Sequence, residues 1–262
     1  MTNPTPDFNK NAFTLTPTQL GEWVFNEIQK RSSLSLHEQK LRYDHIRFLM
    51  AAGADPAWNT NLMTDRLRRN DNAFTLAMAA AYSCDVEALK ILADFKVNLD
   101  TYDSEGMSPL LYTLQYVDDP AATKIVTECA LFLISKGVDV NNVKNPDTDP
   151  DFPIIRAAGA GLTEVVEALI QAKADVNAKN MWGETALVGA VLKQKPDVVK
   201  LLLKAGADTD WVSSKTGKTL IELAEARASE LKSDATVEVL QIIKEAAGKQ
   251  NPPAAKGPQP KI

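Results

Sequence analysis

Three carboxylates stand at alternate positions in the stretch NPDTDPD: Asp147, Asp149 and Asp151. Hard oxygen donors in series are how a calcium loop begins. Such a loop also needs a glycine at its sixth position and a glutamate at its twelfth, and here Phe152 and Ala158 stand there. A solvated acidic loop, suited to a basic patch on a partner, is the plainer reading. The two histidines offer little for acid–base work. His37 sits in a polar linker and His45 lies beside Ile46 in a predicted helix, where a packed or surface role is ordinary. No G-x-S-x-G elbow, phosphate-cradling glycine loop, CxxC pair or HExxH helix occurs. Cys84 and Cys129 make no disulfide framework and fit a reducing compartment. The expectation is a protein that is not an enzyme, with no cofactor and no metal site.

The elements that must position any site belong to an ordinary globular chain: 262 residues, 45% hydrophobic and 24% charged. A net charge of −5 argues against a nucleic-acid partner. The start, MTNPTPDFNKNAF, lacks the basic and apolar regions of a secretion signal. No apolar run approaches the ~20 residues that cross a bilayer. These features predict a cytoplasmic chain with no membrane partner.

The chain repeats itself. KADVNAKNMWGETAL starts at Lys173, and GADTDWVSSKTGKTL starts at Gly206, 33 residues later. GVDVNNV at Gly137, GADPAWN at Gly53 and KVNLDTYDSEGMSPL at Lys96 echo them. A period of 33 marks a repeat architecture. The local physics agrees with paired helices. Gly106, Gly183 and Gly217 fall where a tight turn asks for positive φ. Ser108 and Thr185 are placed to cap helices, and Pro109 and Pro153 to open them. Val165, Val166, Leu169 and Ile170, like Val198, Val199, Leu202 and Leu203, form a one-sided apolar stripe. No single repeat buries that stripe alone, so stacked neighbours must do so.

The pattern resembles the ankyrin-repeat family. GETALVGAVLKQKPDVVKLLLKAGADTDW (183–211), FPIIRAAGAGLTEVVEALIQAKADVNA (152–178) and GMSPLLYTL (106–114) carry the resemblance. FTLAMAAAYSCDVEALKILADFKVNLD (74–100) is a weaker copy, HIRFLMAAGADPA (45–57) half of a first one, and GKTLIELAEA (217–226) the start of a last one. The resemblance implies an all-α ankyrin-repeat solenoid of about six helix-turn-helix repeats with β-turn or hairpin connections. The family's T-P-L-H histidine is replaced by Met78, Leu111, Ile155 and Val188. Cys84 takes the place of a glycine between helices, and Cys129 falls on the apolar stripe of its helix as a small core residue.

Domain expectations follow. Residues 1–15 form a flexible N-terminal segment. Residues 16–247 form a single domain with repeats at 16–57 (cap), 70–100, 103–141, 147–177, 180–210 and 214–247 (cap). Residues 248–262 form a disordered Pro- and Lys-rich tail. The third repeat holds 8 extra residues around YVDDPAAT. Removing the tail's Lys249, Lys256 and Lys261 takes the charge of the remainder from −5 to −8.

Proteins of the family bind partners on a concave side made of turn tips and first helices. Carried onto matching positions, the resemblance implies a partner-binding set of Phe74, Tyr82, Glu105, Met107, Gln115, Tyr116, Asp149, Asp151, Met181, Trp182, Glu184, Leu192, Lys193 and Trp211. The set is rich in aromatic groups, although the whole chain is 6% aromatic. Aromatic anchors with charged neighbours are what binding hot spots are made of. The expected function is therefore a monomeric, non-catalytic protein–protein interaction module with an aromatic and acidic face. It would inhibit, neutralise or scaffold a folded protein, as an immunity or inhibitor protein does. The alternative is a calcium-responsive or catalytic protein that uses the acidic loop 145–151.

Overall fold

A computed structural model describes residues 15–30, 36–59, 74–116, 122–141 and 152–250. Twelve α-helices and no extended strand are found among them. Two compact units divide the chain, 1–148 and 149–262.

The first unit contains α1 (Pro17–Gln29), α2 (Leu36–Ala51), α3 (Leu76–Tyr82), α4 (Val86–Asp94), α5 (Pro109–Thr113) and α6 (Thr123–Ser135), with a 3-10 turn at Leu114–Tyr116. Each odd-numbered helix packs on the helix that follows it and on the odd-numbered helices beside it. The even-numbered helices likewise form their own layer. The second unit repeats this scheme with α7 (Pro153–Ala160), α8 (Thr163–Gln171), α9 (Ala186–Leu192), α10 (Pro196–Lys204), α11 (Leu220–Leu231) and α12 (Asp234–Gln250). In each unit the core is the seam between the two layers.

Local chemistry sets the helix starts. Thr16 accepts from Gln19 N at 3.3 Å, and Gln19 Oε1 accepts from Thr16 N at 2.9 Å, so two orphan donors are satisfied reciprocally. Ser108 and Thr185 cap α5 and α9 through the N–H groups of Leu111 and Val188, at 3.2 and 3.4 Å. Pro109 and Pro153 occupy the first turn of their helices. Gly106, Gly183 and Gly217 take φ of 80°, 73° and 67°, as their turns require. Three of the four stripe residues are buried in α8 (Val165, Val166, Leu169) and in α10 (Val198, Val199, Leu202).

Where the family carries a histidine, Met78, Leu111 and Val188 are buried, and Ile155 is half-buried. Met78 Sδ accepts from Thr75 N at 3.4 Å, a weak acceptor in place of a nitrogen.

One buried ion pair ties α2 to α4. Arg42 Nη2 meets Asp85 Oδ2 at 2.6 Å, with side chains 3% and 2% exposed. Asp85 also accepts from Tyr43 Oη at 3.0 Å and caps α4 through Ala88 N at 3.1 Å. Arg42 further donates to the carbonyl of Ile28 at 3.4 Å. Each charge thus keeps several hydrogen bonds, the condition under which burying it is tolerable. Beside this pair, Glu27 accepts from Lys30 at 2.6 Å and faces His45 Nδ1 at 3.2 Å. Burial pushes the Glu27 carboxyl up, but the bonds to His45 and Lys30 outweigh it and hold it below its usual value. His45 is therefore part of a structural polar cluster, in line with its sequence reading.

The last helix corrects one boundary. The chain remains helical through Gln250, so Gly248 and Lys249 belong to α12 and not to a tail. Two alanines at 246–247 and an aspartate in the first turn sustain the helix. Residues 251–262, segment 1–14, residues 117–121 of the YVDDPAAT stretch and the loop 145–151 lie outside the described residues.

Candidate functional site

In the first unit the aromatic side chains converge. Phe25 lies on α1, Tyr82 is the last residue of α3, Tyr112 is in α5, and Phe74 precedes the cap of α3. The Phe74 ring stands edge-on to Tyr112 at 5.1 Å, to Tyr82 at 6.3 Å and to Phe25 at 6.3 Å. Tyr82 and Tyr112 are 6.0 Å apart, and Phe25 lies 5.0 Å from Trp58. Edge-to-face pairs at these distances stabilise one another by about 0.5–1.5 kcal/mol each. The result is a strip of rings across three successive odd-numbered helices. It runs from fully buried Trp58 to Tyr82, whose surface is 40% exposed.

A turn tip adjoins the strip. Asp103 Oδ1 accepts from Glu105 N and Met107 N, both at 2.9 Å, and so shapes the loop ending at Gly106. Its second oxygen accepts from Tyr112 Oη at 2.5 Å. Burial and the Asp103 charge push the Tyr112 phenol well above the ordinary tyrosine value. Asp103 therefore sets the tip, bearing Glu105 and Met107, against the ring of Tyr112.

The second unit builds its tip in the same way. Asn180 Oδ1 accepts from Trp182 N at 3.0 Å and from Glu184 N at 2.8 Å. Met181 and Trp182 project from it, 62% and 44% exposed. Lys215 Nζ lies 5.9 Å from the Trp182 ring centroid. Trp211 Nε1 donates to Gly183 O at 2.7 Å, which fastens the following tip to this one. Val212 beside it is exposed as well. A groove of about 730 Å³, lined by Trp211, Val212, Ile221 and Ala247 among others, runs between this tip and α12.

Thus the structure gathers Phe74, Tyr82, Glu105 and Met107 into one patch of the first unit. Gln115 stands exposed in the 3-10 turn after α5. It gathers Met181, Trp182, Glu184 and Trp211 at the tip of the second unit, with Glu184 and Trp211 partly covered. Leu192 and Lys193 stand at the far end of α9 from that tip. The side chain of Tyr116, and residues Asp149 and Asp151, lie outside the described residues. Sequence reasoning missed Phe25, Tyr112 and Asp103. A signal for Tyr112 existed: the residue after the Met78/Leu111/Ile155/Val188 position is Ala79, Tyr112, Arg156 and Gly189 in the four copies. Ala79 alone of the four is fully buried; Tyr112, Arg156 and Gly189 are half-buried.

Residues 120–212 match a family model described as ankyrin repeats (3 copies). That segment of the chain therefore carries ankyrin repeats. Its relatives include serine/threonine-protein kinase 12 of Arabidopsis thaliana, 39% identical over 75 residues, which are 29% of this chain and 16% of the kinase. Neurogenic locus notch homolog protein 1 of Xenopus tropicalis is 29% identical over 147 residues, 53% of this chain and 5% of that protein. Rabankyrin-5 of Mus musculus is 35% identical over 83 residues, 28% of this chain and 7% of that one. The chain thus spans a small part of each relative's length. Ankyrin repeats generally mediate protein–protein interaction and are typically non-catalytic. No described helix of this chain is long and apolar enough to cross a membrane.

Proposed function

We propose that this chain is a non-catalytic binding module that engages a folded protein through the aromatic strip of its first unit. The observation that carries this reading is the strip itself: Phe25, Phe74, Tyr82 and Tyr112 on neighbouring helices, with Tyr82 left 40% exposed. Rigid rings that already pack on one another lose little entropy when a partner covers them, which is why they serve as anchors. Exposed Glu105 at the adjoining tip, and the net charge of −5, favour a partner with a basic surface. Met181 and Trp182 give the second unit an anchor of its own. Occupying or blocking a surface then inhibits, neutralises or scaffolds the partner. The protein works as a monomer in the cytoplasm.

Photo-crosslinking tests this reading. A photoreactive phenylalanine analogue replaces Tyr82 in one protein and Lys90, exposed on α4, in another. The reading expects a protein adduct from position 82 and none from position 90. Equal adducts, or adducts from position 90 alone, would move the site off the strip.

The second reading, calcium response or catalysis by loop 145–151, rests on the spacing of Asp147, Asp149 and Asp151. Calorimetric titration with calcium decides it: heat and a raised melting point support it, and silence in both removes it.

A further inference from the structure

The turn between the two helices of a repeat has one residue with positive φ: Cys84 (48°), Gly161 (80°) and Gln194 (55°). In each case this residue abuts the repeat that follows. A Cβ on Gly161 would lie 2.7 Å from Lys195 Cδ. Gln194 Oε1 accepts from Ser233 Oγ at 3.3 Å. Cys84 Sγ reaches the carbonyl of Thr113 at 3.9 Å. The hydroxyl of that same threonine lies 3.5 Å from Cys129 Sγ. The two sulfurs thus flank one residue, Thr113, from either side. Both are thiols, Cys84 half-buried at the turn and Cys129 buried in α6. A non-glycine residue in this conformation is strained, so placing a cysteine here has a cost that a glycine would avoid.

We propose that Cys84 and Cys129 form an oxidation site, in which a peroxide joins them in a disulfide that staples the α3–α4 repeat to the α5–α6 repeat. Cys84 acts first, because it is the less buried of the two residues. The Cys84 thiol gives up its proton as its sulfur attacks hydrogen peroxide. The S–O bond forms, the O–O bond breaks, and the leaving hydroxide takes that proton as one water, which leaves Cys84 a sulfenic acid. Cys129 sulfur then attacks Cys84 sulfur. The S–S bond forms, the S–O bond breaks, and the leaving hydroxide takes the Cys129 proton to give a second water. Two thiols and one peroxide thus yield one disulfide and two waters, the sulfurs supplying the two electrons. The neighbouring Cys84 and then burial push the Cys129 thiol up, in keeping with its acting second. No protein partner enters the argument, so the site stands apart from the binding function.

The test treats the full chain with hydrogen peroxide, alkylates remaining thiols and maps the peptides without reduction. The expected result is a Cys84–Cys129 crosslinked peptide that dithiothreitol reverses, with a melting temperature about 5 °C above that of the reduced chain. Cys84→Ala should abolish the crosslink while melting like the reduced wild type. Two thiols that remain fully alkylated would overturn the proposal. So would a dimer joined through Cys84 that persists in Cys129→Ala, or a Cys84 that stops at sulfinic acid.

Discussion

Arg42 and Asp85 sit 43 residues apart and meet at 2.6 Å in the interior of the first unit. Asp85 serves two helices at once, neutralising a guanidinium of α2 and capping α4. Replacing Asp85 with alanine leaves Arg42 buried without its counter-charge and α4 without its cap. The expected loss is about 3–5 kcal/mol in urea unfolding, the range for breaking one side of a buried pair. A loss under about 1 kcal/mol would mean that water reaches Arg42.

Gly21 in α1 is closed against Trp58: an added Cβ would lie 2.6 Å from Trp58 Cδ1 and Cγ. Gly21→Ala must displace the indole and is expected to destabilise by about 1–3 kcal/mol. Tryptophan emission shifted to longer wavelength would report the displacement directly. Wild-type stability and emission would contradict this packing.

These two contacts mark what the sequence could not disclose. Caps and turns were legible because each depends on neighbours within four residues, as with Ser108 and Leu111 or Thr185 and Val188. The helix pairs were legible because the apolar stripe recurs at a fixed period. The Arg42–Asp85 pair and the packing of Phe25 on Trp58 arise only when repeats stack, and no local pattern encodes a partner tens of residues away. Of the candidate site, Phe74, Tyr82 and Trp182 were readable from their places in the repeat. Tyr112 was marked only by its variability across the copies and Asp103 not at all, since their meaning lies in the bond between them.

Tyr112 has a pH signature. Its phenol is held protonated by burial and by Asp103, so its folded pKa lies above the unfolded value near 10. A raised pKa means that the folded state holds its proton more tightly. The stabilisation is fully present below pH 10 and is lost as pH rises further toward the folded value. Ultraviolet titration should show a tyrosine ionising only as the chain unfolds, and Tyr112→Phe should remove it. A titration identical in the two proteins would contradict the Tyr112–Asp103 bond.

Glu27 behaves in the opposite sense. Its folded pKa lies below the ordinary 4.5. Its contribution is therefore present above that value and is lost as pH falls through the lower, folded one. Glu27→Gln is expected to lower stability at pH 7 and to flatten the slope of stability against pH below about 4.5. An unchanged slope would mean that His45 and Lys30 do not hold the carboxylate.

The aromatic strip is the central claim, and a paired capture tests it most directly. Wild-type protein and a Tyr82→Ala variant serve as baits in lysate of the source cell, and each captured protein is then titrated by calorimetry. Loss of the exposed Tyr82 ring should cost about 1–2 kcal/mol of folding stability, from its two edge contacts. Helical signal should be intact. The account predicts a partner whose affinity falls at least about thirtyfold in the variant, as a hot-spot residue requires. A partner bound equally by both baits would contradict it.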